Sequence, residues 1–349
     1  MNLQLSNFEI SNREIILDIS DKYLFIFPNL SKCINLKILH CNNNQLTKLH
    51  SLEFLSSLLV LNCNSNQLTF LPILPSSLEV LICNDNLLSY LPELPSSLQV
   101  LFCYNNHLKS LPLMSNSLKK LWCSNNNLIT LPPLQNTSIT ILFCQENNLT
   151  SIPLLPVSLK ELNCNYNKLT ILPPLVNTYL NILFCQYNCL SSLPSLPCSL
   201  RKLYCSKNQL TILPSLNTLT SLTEIMCGNN KLTRIPSLPT SLQKLLCENN
   251  NLDILPSLQK IPLDTFYCYG NFIHEIINNN IKNNEIYNHF REVYFLSKFK
   301  KKFLSWMWKV REEKIKKEFH PNILLFAISN FKDPDDPEEL NLWMNKNDW

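Results

Sequence analysis

Asparagine follows cysteine at a distance of three residues twelve times, and these pairs recur every 20 to 22 residues. The first pair is Cys41 and Asn44 and the last is Cys268 and Asn271. A fixed period of this length admits few folds. Each unit is too short to bury a core alone, so it must stack on its neighbours, and the chain reads as a solenoid. Three cysteines, Cys33, Cys189 and Cys198, fall out of phase among the fifteen of the 349-residue chain.

Aligned on cysteine, one unit reads L-x-x-L-x-C-x-x-N-x-L-x-x-L-P. Residues 58–72, LLVLNCNSNQLTFLP, are a clean copy, and 78–92 and 98–112 are others. Alternation along a strand places Leu61 and Cys63 on one face, so Leu61-Asn62-Cys63 is expected as a short strand. Leu58, Leu61, Cys63, Leu68 and Leu71 are expected to point inward. Successive strands then stack in a parallel sheet at about 4.8 Å. Asn66 stands where the chain leaves the strand. Its amide can donate to and accept from backbone groups of adjacent turns, which a buried turn requires. The Leu-Pro runs between units, such as Leu91-Pro92-Glu93-Leu94-Pro95, fix φ and remove donors, which predicts a thin polyproline or 3-10 return path.

The unit resembles the leucine-rich repeat, with cysteine in the third apolar place. The resemblance covers residues 36–272. It implies a horseshoe of the α/β solenoid class, with a parallel β-sheet on its concave side. The short Leu-Pro-rich form is similar to the repeats of bacterial type III effectors of the YopM and IpaH-like class. Its asparagine-rich, alanine-poor usage also resembles leucine-rich-repeat proteins of giant DNA viruses of amoebae. The resemblance implies non-enzymatic protein binding, with a viral protein acting on its host as one setting and an effector's substrate-recognition domain as another. The IpaH-like class carries a C-terminal ubiquitin ligase with a nucleophilic cysteine. No cysteine follows Cys268 here, so that activity is not expected.

Three regions follow. Residues 1–35 contain a worn copy of the unit (Leu17-Asp18-Ile19 as strand, then Leu24 and Phe27-Pro28) and are expected to cap the N-terminal end. Residues 36–272 hold twelve repeats. Residues 273–349 depart from the pattern. Within them Ile286, Phe290, Val293, Leu296, Phe299, Phe303, Met307 and Val310 recur at helical spacing, which predicts a basic helix over 285–319 before an acidic tail. That helix is expected to close the last repeat. Lys298, Lys300, Lys301 and Lys302 offer a weaker alternative, an adaptor touching a membrane or nucleic acid.

The net charge of +4 does not by itself announce a nucleic-acid partner. The start MNLQLSNFEI lacks a basic region followed by an apolar run, and no stretch of about 18 uncharged apolar residues exists, so neither a secretory signal nor a spanning helix is expected. In-phase cysteines read as reduced core thiols of a cytoplasmic protein rather than as a disulfide framework. No metal site, cofactor or catalytic set is expected. The histidines lack partners for a triad, and glycine is limited to Gly228 and Gly270.

The residue before each cysteine should face solvent on the concave side. That row includes Phe102, Trp122, Phe143, Phe184, Tyr204 and Tyr267, with Tyr104, Tyr166 and Tyr187 close by. A contiguous aromatic strip on a soluble protein suggests a protein-docking surface. Two plainer readings stand beside it: strand propensity favours aromatics at half-exposed sites, and the C-terminal segment covers the strip. A monomer is expected, with no small-molecule substrate.

Overall fold

A computed structural model describes residues 15–258 and 261–271. The expected C-terminal helix, with its lysines, lies outside these residues, as do residues 1–14. The described chain forms thirteen strands of three residues each. They are β1 (Ile16–Asp18), β2 (Ile38–His40), β3 (Val60–Asn62), β4 (Val80–Ile82), β5 (Val100–Phe102), β6 (Lys120–Trp122), β7 (Ile141–Phe143), β8 (Glu161–Asn163), β9 (Ile182–Phe184), β10 (Lys202–Tyr204), β11 (Glu224–Met226), β12 (Lys244–Leu246) and β13 (Thr265–Tyr267). All lie in one parallel sheet in sequence order. The register never slips: Leu101 pairs with Leu121, and Leu121 with Leu142.

Alternation explains the register. The middle residue of each strand is buried and is almost always leucine, while its neighbours are mostly half-buried. Moving a strand by one residue would turn that leucine to solvent. Each strand starts one residue earlier than the sequence suggested, for example Val60–Asn62 instead of 61–63. The reason lies in the cysteine. Cys63 still donates its N–H to the Ile82 carbonyl at 2.8 Å, yet two residues later Ser65 turns left-handed at φ 53°. The chain leaves the pleat there, so Cys63 closes the strand without extending it. Its side chain faces the core all the same, as expected for Leu58, Leu61, Leu68 and Leu71, which are also buried.

The asparagine that follows is a bracket between two turns of the solenoid. Asn126 donates through Nδ2 to the carbonyls of Cys123 (3.2 Å), Ser124 (3.1 Å) and, one turn back, Cys103 (3.0 Å). Its Oδ1 accepts the N–H of Leu108 at 2.9 Å. The other repeats copy this set, from Asn66 on Cys41 to Asn250 on Cys227. Asn44 makes it against Ile19 and Leu24 in place of a cysteine unit. Residues 15–35 therefore complete a turn of their own, with β1 paired to β2 and Leu17, Ile19, Leu24, Phe27 and Leu30 buried.

No helix occurs among the described residues. The return path is extended and is tightened only by single turns such as Leu78 N–H to Pro75 C=O at 3.1 Å. A serine hydroxyl often tethers it to the preceding unit, as when Ser77 donates to Leu58 C=O at 2.7 Å and Ser241 to Leu222 C=O at 2.8 Å. Leucine and cysteine fill one apolar column from Leu17 to Cys268. Each buried leucine contributes about 1.5–3 kcal/mol, a gain that one unit cannot realise without neighbours.

Candidate protein-docking surface

The third residue of each strand lines one row on the open face of the sheet. Because the strands pair in register, residues in this row stand side by side, and large rings there must stack. Phe102 and Trp122 lie with centroids 4.2 Å apart and planes 17° apart. Trp122 and Phe143 follow at 5.2 Å and 16°. Tyr104, two residues past Phe102, tilts against Trp122 at 6.4 Å. These four side chains form one continuous apolar ridge over β5, β6 and β7. The indole Nε1–H of Trp122 is buried in it without an acceptor.

Asn163 on β8 interrupts the row, and Phe184 and Tyr204 resume it at 4.9 Å and 34°. Tyr204 differs from the exposed strip residue that the sequence suggested. It is only 8% exposed, and its hydroxyl donates to Glu224 Oε2 at 2.5 Å. Lys202 Nζ holds the other oxygen of that carboxylate at 2.7 Å. Partial burial and the Glu224 hydrogen bond push the Tyr204 phenol up, while hydrogen bonds from Lys202 and Tyr204 outweigh desolvation and lower Glu224. Tyr204 thus offers an edge at most, and Lys202 and Glu224 form the polar end of the strip.

Tyr166 and Tyr187 belong to a different row. Both occupy the left-handed position two residues after cysteine, at φ 52° and 54°. They stack at 4.0 Å on the lip of the sheet. Lys207, in the same position of the next unit, sits 4.3 Å over the Tyr187 ring and donates to its hydroxyl at 2.7 Å. Lys207 was not singled out from sequence, although its spacing of 20 residues from Tyr187 carried the signal. Tyr267 on β13 stands apart, separated from Tyr204 by Met226 and Leu246.

The twelve in-phase thiols are buried and free. Burial pushes Cys63, Cys103, Cys144 and Cys205 up to about 12. Such thiols stay protonated at neutral pH and act as small apolar packing groups. Cys33 joins them in the core, whereas Cys189 and Cys198 are exposed. Among the described residues no three metal-ligating side chains converge, and no helix is long and apolar enough to cross a membrane.

Comparison with known proteins agrees with this geometry. The family model of leucine-rich repeats in two copies matches residues 198–239. The structure is similar to the leucine-rich effector protein YopM of Yersinia pestis, with 33% identity, 74% of this chain and 78% of that one covered, and a TM-score of 0.63. It is also similar to YopM of Yersinia enterocolitica, with 32% identity, 72% and 63% of the two chains covered, and a TM-score of 0.56. The functional domain of InlJ from Listeria monocytogenes, described as including a cysteine ladder, shares the fold at 23% identity and a TM-score of 0.50, over 74% of this chain and 68% of that one. No curated protein matches the chain. The period, the parallel sheet, the asparagine brackets and these likenesses converge: the chain belongs to the leucine-rich-repeat proteins.

Proposed function

We propose that this protein is a non-enzymatic scaffold that binds a protein partner through the open face of its sheet. The reading rests chiefly on one observation, the stacked ridge of Phe102, Trp122 and Phe143 with Tyr104 at its flank. Pre-stacked rings lose little rotamer freedom on binding, and aromatic residues are the usual anchors of interfaces. The polar end at Lys202, Tyr204 and Glu224 and the lip at Tyr166, Tyr187 and Lys207 supply rim contacts, with Tyr267 further along. Leucine-rich-repeat folds typically serve as such scaffolds, and YopM is described as an effector. In the viral setting that the composition resembles, the partner is a host protein.

The test is affinity capture with the wild-type chain, a Trp122→Ala/Phe143→Ala variant and an Ile171→Ala control on the exposed return side. The double variant should lose its partner by about 30-fold or more, as expected for two anchors together worth at least about 2 kcal/mol. Equal recovery by all three proteins rejects the reading.

A further inference from the structure

The only two glycines of the chain flank one dipeptide, Glu248-Asn249. Gly228 lies one turn before Glu248 in the row that follows each cysteine. Gly270 lies one turn after Asn249 in the left-handed row. A Cβ on Gly228 would fall 2.0 Å from Glu248 Oε1, and one on Gly270 would fall 2.2 Å from Asn249 Oδ1. Backbone conformation does not explain Gly270. Its φ is 71°, but the same position in the other units is left-handed with Asn, Ser, Asp, Glu, Tyr or Lys. Both glycines instead make room for the side chains of 248 and 249.

The first of these side chains is unusual. Among the twelve residues that follow an in-phase cysteine, Glu248 is the sole carboxylate and Gly228 the sole glycine. The other ten are Asn, Ser, Gln or Tyr, and the two exceptions are neighbours. Glu248 Oε2 is shut off from solvent and has no hydrogen-bond partner. Among the described residues no cation lies within ion-pair distance of it. The carboxyl has its own backbone N–H as a donor, yet Oε2 has lost its water without a hydrogen bond in return, which is costly for a charged group.

We propose that Glu248 anchors a binding site for a single ammonium group, brought by a lysine of a protein partner or by a free polyamine. One orphan oxygen suits a compact point donor better than a bidentate guanidinium. The negative charge is shared over both carboxylate oxygens, so an ammonium at the open side of the carboxyl also compensates the closed oxygen. Tyr269 stands beside it and Tyr267 next to that, both exposed, and tyrosine rings are surfaces that attract cations. Glu248 and Tyr269 each follow an in-phase cysteine in adjacent units; burial pushes the Glu248 carboxyl up against the pull of its own backbone N–H, and burial together with the Glu248 charge raises the Tyr269 phenol. The other titratable neighbours are the buried thiols of Cys227 and Cys247, neutral throughout the acid range. Binding requires the ionised carboxylate, so affinity rises as pH rises through the raised Glu248 pKa. The site lies on β11 to β13 and stands or falls separately from the aromatic ridge.

The experiment follows the Glu248 side-chain carboxyl by carbon NMR in the full chain during a pH titration. The probes are Nα-acetyl-lysinamide, its Nε-acetylated neutral analogue, and spermidine. Glu248→Gln assigns the signal. Gly228→Ala blocks the seat while keeping the carboxylate, and protection of Cys227 and Cys247 from alkylation confirms that each variant is folded. Either amine should lower the apparent Glu248 pKa, whereas the neutral analogue should not, and Gly228→Ala should weaken the response at least about tenfold. Response to the lysine compound assigns a protein lysine as the source, and response to spermidine alone assigns a free polyamine. A Glu248 carboxyl that titrates in the ordinary range, or that ignores both amines, overturns the proposal.

Discussion

Asn126→Ala tests whether the asparagine brackets hold the solenoid together. The variant removes four hydrogen bonds, but they are not equivalent. Cys103 C=O keeps the Nδ2 of Asn106 at 3.2 Å, Cys123 C=O keeps that of Asn147 at 3.0 Å, and Ser124 C=O keeps the Asn105 N–H at 3.0 Å. Leu108 N–H is bonded only to the Asn126 Oδ1 and is left bare in the interior. One orphaned donor costs about 1–3 kcal/mol, and three weakened carbonyl contacts add about 0.5 kcal/mol each. The expected loss is about 3 kcal/mol. Asn126→Asp separates the two halves of the bracket. The new carboxylate still accepts from Leu108, but its second oxygen faces three carbonyl oxygens. That repulsion raises its folded pKa above the usual value of about 3.9. An acid with a raised folded pKa contributes stability below its unfolded pKa and loses it as pH rises through the folded one. Asn126→Asp should therefore be less stable than Asn126→Ala at pH 7 and recover near pH 4. Opening free energies come from timed alkylation of Cys103 and Cys123 across a urea series, because a repeat array need not unfold in two states. An Asn126→Ala loss under about 0.5 kcal/mol, or equal stability of the two variants at pH 7, would refute the bracket account.

Two further outcomes follow from the same packing. Native alkylation should label the exposed Cys189 and Cys198 quickly and leave the ladder inert even at pH 10, since burial holds Cys103 and Cys144 up at about 12; rapid native labelling of either ladder thiol contradicts their role as core groups. Tyr204→Phe removes the hydroxyl bonded to Glu224 and should cost about 1 kcal/mol by urea melting, whereas Lys202→Ala, at the half-exposed end of the same group, should cost less than about 1 kcal/mol; the reverse ranking would mean that the ion pair dominates.

The stacking was legible because its signals are local and repeated. Leu61 and Cys63 sit two apart and must share a face, and Asn66 must resolve the polar groups of the turn that follows. Strand limits were off by one, since the sequence does not show that Ser65 turns left-handed and draws Cys63 out of the pleat. Within the candidate surface, the side-by-side placement of Phe102, Trp122 and Phe143 followed from the period alone. The retreat of Tyr204 did not, because it depends on Glu224, 20 residues away, and on how a flexible Lys202 reaches that carboxylate. The seat of Glu248 was equally silent. Gly228 reads as a loop residue until Glu248 of the next turn is seen lying over it.

Everything periodic was written in the chain itself. A 20-to-22-residue spacing of cysteine and asparagine allows one way of burying short apolar units, which is to stack them in register. Tertiary structure decided what the period leaves free: which rings touch, which phenol sinks under its neighbours, and which carboxylate oxygen is left without a partner. Those outcomes turn on the reach and torsions of single side chains across adjacent strands. Distances such as 2.5 Å from Tyr204 to Glu224 and 5.2 Å from Trp122 to Phe143, between residues some 20 positions apart, do not exist until the sheet has formed.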